Sequence, residues 1–343
     1  MNAAARNICG RATCMVGLLV LAMTIYSDAM AGILLQADRQ MKRGWLLYAV
    51  PVAEGTRSLC CYNHSFWKDD RRQAACHLDK PANIWGHRMD TGFTPENLLV
   101  FLRYRNGEVD SVLPVTEDCP VDKSGESVTA LENVELDEGV AFLHKLFKRH
   151  SRYKNSDVAE KTITAISLHR HAAALASLED IARDTRSHYR KDAITWLGIN
   201  GGKAGVGIVV DVIKDEPEED VVESGLMALS QGSLPEGIRL LERFAKSHPS
   251  KKIRGQALFW LAQSDHPGAA DIVINAVHSA NDVEVRRQAV FAVSQLEEEQ
   301  AVDELLNIVQ TSEDREVQRE ALFWLGQIES PRVLEFFDRV LNE

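Results

Sequence analysis

The stretch ALFWLAQSDHP at residues 257–267 returns as AVFAVSQLEEE at 289–299 and as ALFWLGQIESP at 321–331, each time 32 residues on. Working outward towards the N-terminus at the same interval, GLMALS begins at Gly225 and AITWLG at Ala193. The small residues Ala193, Gly225, Ala257, Ala289 and Ala321 therefore anchor five copies of one element. A fixed period in this range marks a solenoid, in which each unit buries its apolar face by stacking on its neighbours.

Apolar residues sit four before each anchor (Tyr189, Val221, Ile253, Val285, Val317), one after it (Ile194, Leu226, Leu258, Val290, Leu322) and four after it (Leu197, Leu229, Leu261, Val293, Leu325). At 3.6 residues per turn these positions form one broad stripe, which predicts an amphipathic helix in every copy. Ten residues after three of the anchors stand Pro235, Pro267 and Pro331. Proline suits the first turn of a helix, so a second helix is expected to start at each. Leu305, Leu306, Ile308 and Val309 in one copy, and Phe336, Phe337, Val340 and Leu341 in the last, supply its apolar face. Each unit reads as a helical hairpin.

The valine-arginine pair, the alanine and the apolar end of the helix (Val285, Arg286, Ala289, Val293 and Ser294; Ile253, Arg254, Ala257, Leu261 and Ala262) resemble the short HEAT-like repeats of phycobilin lyases. The resemblance covers residues 187–343, with a degenerate sixth unit expected at about 156–186. The whole layout is similar to exported bacterial HEAT-repeat proteins. It implies a mostly α fold: an α-solenoid of five to six 32-residue HEAT-like hairpins. Bilin-lyase activity does not follow, because the likeness is confined to the repeat. Another HEAT-like family, deoxyhypusine hydroxylase, binds iron through His-Glu pairs, and this chain has no His-Glu dipeptide.

The first 31 residues read as a cleaved export signal. Arg6 and Arg11 give a positive start, Met15 to Tyr26 an apolar core, and Ala29-Met30-Ala31 a small-x-small cleavage site before Gly32. The apolar run is about half of the roughly 20 residues that a spanning helix needs. A periplasmic or secreted protein without a stable membrane anchor is expected, the alternative being an uncleaved anchor.

Cleavage would remove Cys9 and Cys14 and leave Cys60, Cys61, Cys76 and Cys119. Four cysteines in an exported chain read as two disulfides. A bridge between adjacent Cys60 and Cys61 would be strained, so each is expected to pair with one of Cys76 and Cys119. The alternative is a redox pair or a zinc site with His64, His77 or His87, which no Cys-x-x-Cys spacing supports.

Residues 32–127 differ from the repeats and are expected to form a small disulfide-tied β-rich domain. Gly44–Val52 is apolar, and Leu98–Arg105 and Glu108–Val115 flank Asn106-Gly107, a strong hairpin signal. Residues 128–155 are read as a connecting helix, with Val140, Leu143, Leu146 and Phe147 on one face. The solenoid is taken to occupy 156–343.

Composition and motifs narrow the function. The net charge is −11 and would become −12 without residues 1–31, and no basic footprint of the kind nucleic acid requires spans the repeats. The local cluster Lys145, Lys148, Arg149, Arg152 and Lys154 reads as cations favoured near a helix C-terminus. No Gly-x-Ser-x-Gly elbow, Walker loop or His-Glu-x-x-His stands in the sequence. Neither a catalytic residue, a metal nor a cofactor is expected. The expected role is a scaffold or adaptor for a protein or peptide. Its alternative is a cysteine-dependent redox or metal-binding protein of the cell envelope.

The candidate surface follows from the helical wheel. Two residues after the anchor, opposite the core stripe, stand Thr195, Met227, Phe259, Phe291 and Phe323. Six after it, on the same side, stand Ile199, Gln231, Gln263, Gln295 and Gln327. Phe259, Phe291 and Phe323 beside Gln263, Gln295 and Gln327 make the expected binding ridge. The competing reading is that loops cover the phenylalanines and that the glutamines bond the turns. Trp196, Trp260 and Trp324 alternate with Ala228 and Ala292 and are assigned to packing.

Overall fold

The computed structural model describes residues 32–56, 58–61, 76–80, 84–86, 93–232, 234–264 and 266–342. The expected export signal, Cys9, Cys14, His64 and His87 lie outside them. Contacts divide the chain into two units, one of residues 1–150 with 156–171 and one of residues 151–155 with 172–343.

The first unit starts with helix α1 (Ile33–Gln40) and is built on a four-stranded sheet in the order β6-β5-β1-β8. Its strands are β1 (Gly44–Pro51), β5 (Asn97–Arg105), β6 (Glu108–Thr116) and β8 (Val128–Leu131). β5 and β6 form the expected hairpin, with Asn106 and Gly107 both at positive φ (54° and 83°) as a two-residue turn of that sequence demands. β1 is a central strand. Pro51 is tolerated because β8 pairs only with Trp45 to Tyr48, so no ladder donor is required of it; its carbonyl accepts the Arg170 N–H at 3.3 Å.

Alternation along the sheet builds two apolar layers. Trp45, Phe101, Leu113 and Val115 face Cys76, Leu78 and Cys119. The residues between them, among them Leu46, Tyr48, Val50, Leu98, Leu102 and Val112, are buried as well. Helices α2 (Leu136–His150) and α3 (Asp157–Ser167) complete this unit, α3 packing on β6 and α2 on α1 and α3. Glu138 of α2 accepts the Leu34 and Leu35 N–H groups at 2.7 and 3.1 Å, serving the otherwise unpaired start of α1.

Two expected boundaries are corrected here. Residues 128–131 are not helical but add a parallel strand to the sheet, because their backbone completes the edge of β1. Residues 156–171 belong with the sheet and not with the repeats: Ala53 donates to the Leu168 carbonyl and Val52 bridges to His169. His169 is buried, its Nδ1 2.7 Å from the Ala165 carbonyl, while its Nε2 and the Tyr48 hydroxyl have no hydrogen-bond partner among the described residues. Burial pushes its pKa down to about 4.

The second unit opens with α4 (Ala172–Arg183) and continues as five helical hairpins. The first helices are α5 (Arg190–Asn200), α7 (Glu219–Gln231), α9 (Lys251–Ala262), α11 (Val283–Val293) and α13 (Arg315–Leu325). The second helices are α6 (Gly202–Ile213), α8 (Pro235–Ser247), α10 (Ala269–Ser279), α12 (Glu298–Thr311) and α14 (Pro331–Asn342). The first helices pack side by side in one continuous layer, and α8, α10 and α12 each pack on the first helix of the next repeat. All five anchors are buried, with the apolar positions four before and four after them.

Two polar positions lock the repeats in register. Seven before the anchor, Ser250, Asp282 and Asp314 cap their helices, each side chain accepting from a backbone N–H of the first turn. Three before it, Arg254 donates to the His248 carbonyl and Arg286 to the Ala280 carbonyl, both at 2.8 Å, at the ends of α8 and α10. Pro235 and Pro331 open their helices as expected, whereas α10 starts at Ala269, two residues after Pro267.

Candidate partner-binding face

Phe259, Phe291 and Phe323 leave successive first helices from equivalent positions, so the 32-residue period brings them into one row. The Phe259 and Phe291 rings stack, with centroids 5.8 Å apart and planes 2° from parallel. Phe291 then meets Trp324 at 4.7 Å, and Phe323 meets Trp324 edge-on at 5.0 Å. Trp260 stands edge-on to Phe259 at 5.0 Å at the other end. Five aromatic rings thus form one ladder across three repeats.

This modifies the ridge expected from the wheel. Phe259 and Phe291 are half-buried and in contact with the neighbouring rings, while Phe323 is 57% exposed. The tryptophans are half-buried members of the same ladder. A one-helix wheel shows which way a side chain leaves its own helix, but it does not show what the next repeat places over it. Met227 and Thr195 continue the row without rings, so the aromatic surface belongs to the last three repeats.

Polar side chains brace the ladder from below. Trp324 donates its indole N–H to Glu320 at 2.9 Å, and Glu320 also accepts from Arg287 of the preceding repeat at 2.9 and 3.0 Å. That hydrogen bond and charge raise the Arg287 pKa further. One repeat pair earlier, Gln256 donates to Glu223 at 2.7 Å. There, however, Gln256 Oε1, Trp260 Nε1 and Gln288 Oε1 are buried without hydrogen-bond partners among the described residues. Sequence reasoning missed this bracing, although Glu320 stands one helical turn before Trp324, the spacing at which side chains meet.

The glutamines are less uniform. Gln263 and Gln327 are exposed, whereas half-buried Gln295 donates to Ser294 Oγ at 3.1 Å. A groove of about 280 Å³ lies elsewhere, between α8, α9, α10 and α11. Its polar lining is largely engaged within the chain: Lys246 with Glu242, Arg254 with His248, and Asp282 with Lys251.

In the first unit Cys60 pairs with Cys119 and Cys61 with Cys76, at S–S distances of 2.02 and 1.99 Å. Cys60 and Cys61 leave β2 (Leu59–Cys61), which pairs with β4 (Ile84–Gly86). Cys76 starts β3 (Cys76–His77), paired with β7 (Val121–Asp122). The two bridges adjoin, with Cys76 Sγ 3.6 Å from Cys119 Sγ. The sulfurs of Cys60, Cys76 and Cys119 converge within 4.8 Å, all of them engaged in the bridges. His77 turns to Asp122 at 3.1 Å.

Comparison with known proteins fixes the class. Residues 238–326 match the model for HEAT repeats and residues 317–343 the model for the PBS lyase HEAT-like repeat. The chain therefore contains a HEAT-repeat domain. A search of curated proteins found no match. Among solved structures, human deoxyhypusine hydroxylase in complex with glycerol is 16% identical with a TM-score of 0.30, over 58% of this chain and 88% of that chain. A de novo designed 16-helix transmembrane nanopore, TMHC8_R, is 12% identical with a TM-score of 0.14, over 60% of this chain and 66% of that chain. Likeness this low carries no functional argument. No helix among the described residues is long and apolar enough to cross a membrane.

Proposed function

We propose that the chain is an exported, non-catalytic adaptor that binds a protein or peptide along its first-helix layer. The observation that carries this reading is the aromatic ladder, which ends in a phenylalanine left 57% exposed. Aromatic side chains offer large contact area at low entropic cost and dominate interface energetics. A partner lying along the layer would cross Phe323, the edges of Phe291 and Phe259, and the exposed Gln327 and Gln263.

Crosslinked capture from cell-envelope extracts tests it, comparing the parent with Phe323→Ala and with the triple alanine variant of Phe259, Phe291 and Phe323. Because Phe323 is mostly solvated, its truncation should preserve the fold and sharply reduce capture of the parent's partner. Equal capture by both folded variants would move the binding face elsewhere. Export is read from the residue pattern of 1–31 and from the cysteine bridges, which suit an oxidising compartment. Terminal sequencing of the natural protein should find its first residue near Gly32, and a retained Met1 would refute cleavage.

A second reading, thiol redox or metal chemistry, is favoured by one observation, the convergence of three sulfurs within 4.8 Å. Thiol counting separates the two. Two stable bridges and no metal taken up after reduction support the adaptor, whereas stoichiometric zinc in the reduced chain supports the alternative.

A further inference from the structure

The last repeat carries core residues on a face that no described residue covers. Thirteen positions after the anchor, Val206, Ile238 and Val302 are buried, yet Leu334 of α14 is 71% exposed. Nineteen after it, Val212, Phe244 and Ile308 are buried, while Val340 is 51% exposed. Sixteen after it, Val209, Leu241, Val273 and Leu305 are buried, and Phe337 is only half-buried. In the earlier repeats the next hairpin provides the cover. The hairpin that ends in α14 thus presents leucine, phenylalanine and valine at positions that are core in the preceding ones.

We infer that this end of the repeat unit is a second docking face, separate from the aromatic ladder, and that its occupant is a basic amphipathic helix of another protein. Shape selects a helix, because helices cover the same positions in the preceding repeats. Charge selects the sign. Residues 291–343 hold thirteen Asp and Glu against four Arg and no Lys. Glu335 and Asp338 stand one and four residues after Leu334 on α14, and the exposed Glu329 and Glu335 form no ion pair among the described residues. Of the two arginines on α14, Arg332 is held by Asp303 at 2.5 Å, which leaves Arg339 as that helix's other cation. A second copy docked face to face would set these carboxylates against their own kind. A leucine stripe flanked by lysine or arginine would satisfy both the apolar positions and the acidic margin.

The test is fluorescence anisotropy of a labelled leucine-lysine helical peptide of ~18 residues titrated with the whole chain, beside a leucine-glutamate peptide of the same pattern. Leu334→Gln with Val340→Gln is the matching variant. Both residues are mostly solvated, so the circular dichroism melt should not change. The lysine peptide should bind saturably, the double substitution should weaken it at least about tenfold, and the glutamate peptide should not bind. Equal binding to parent and variant, or equal binding of the two peptides, overturns the assignment. So does the absence of any binding. A concentration-dependent dimer in sedimentation that the double variant abolishes would assign the face to a second copy and also refute it.

Discussion

Arg286 reaches Asp314 of the following repeat at 2.7 Å while its other terminal nitrogen caps the Ala280 carbonyl behind it. Asp314 is itself the N-cap of α13, accepting from the Glu316 and Val317 N–H groups. From α11, one guanidinium therefore joins the end of α10 in the preceding repeat to the start of α13 in the following one. The fork geometry explains why arginine stands here, since an ammonium is a single point of charge. Its hydrogen bonds and charge hold the Asp314 carboxyl below the usual carboxylate range.

Arg286→Ala should leave the Ala280 carbonyl unserved and weaken the repeat unit by about 1–2 kcal/mol. Arg286→Lys should recover only part of this. Denaturant melts of the three proteins check the order, and a lysine variant equal to the parent would show that charge alone matters.

Gly198→Ala should destabilise more than its size suggests. An added Cβ would lie 2.6 Å from Ala228 Cβ and 2.9 Å from the Ala228 carbonyl carbon, so backbone must move where α5 crosses α7. A cost of about 1–3 kcal/mol is expected. Gly207→Ala on α6 meets nothing within 4 Å and should be neutral or stabilising, making it the control. Similar melts for the two variants would contradict the crossing.

Much of this was legible in the sequence and some was not, for physical reasons. A stacked repeat writes its packing into its period, so Ala289 and Val293 disclose their burial without any knowledge of the fold. The caps Ser250, Asp282 and Asp314 recur at the same spacing, a signal that went unread in the sequence. Residues 128–131 and 156–171 were not legible, because Val128 and His169 are placed by strands far off in sequence. The ladder lay between these cases. The period places Phe259, Phe291 and Phe323 in one row, but the half-burial of Phe259 and Phe291 and the entry of Trp260 and Trp324 into the same stack arise only when repeats close on each other.

The first unit should lose stability as the pH falls from about 6.5 towards about 4. Buried His169 is neutral in the fold, with a pKa near 4, whereas the unfolded chain takes up a proton near its ordinary 6.5. The unfolded state then binds more protons, so falling pH favours unfolding, by up to about 3 kcal/mol once pH 4 is reached. His169→Gln should flatten the dependence in this window. An unchanged pH profile in that variant would assign the effect to other groups.

The final prediction separates two tryptophans with the same ladder position and different polar surroundings. Trp324 spends its N–H on Glu320 at 2.9 Å, whereas the buried N–H of Trp260 has no acceptor among the described residues. Replacing either by phenylalanine removes a similar apolar area from a similar stack. Trp324→Phe also forfeits a hydrogen bond to a carboxylate and leaves Glu320 with Arg287 alone. Trp260→Phe instead removes a donor that was costly to bury. Trp324→Phe should therefore cost at least about 1 kcal/mol more than Trp260→Phe in parallel denaturant melts. Trp260→Ala, which empties the stack, should cost about 3–5 kcal/mol. If Trp260→Phe is as damaging as Trp324→Phe, the Trp260 indole has found a partner such as a buried water. A high-resolution crystal structure would then place that water between Trp260 and the unpaired Oε1 of Gln256 on the preceding turn.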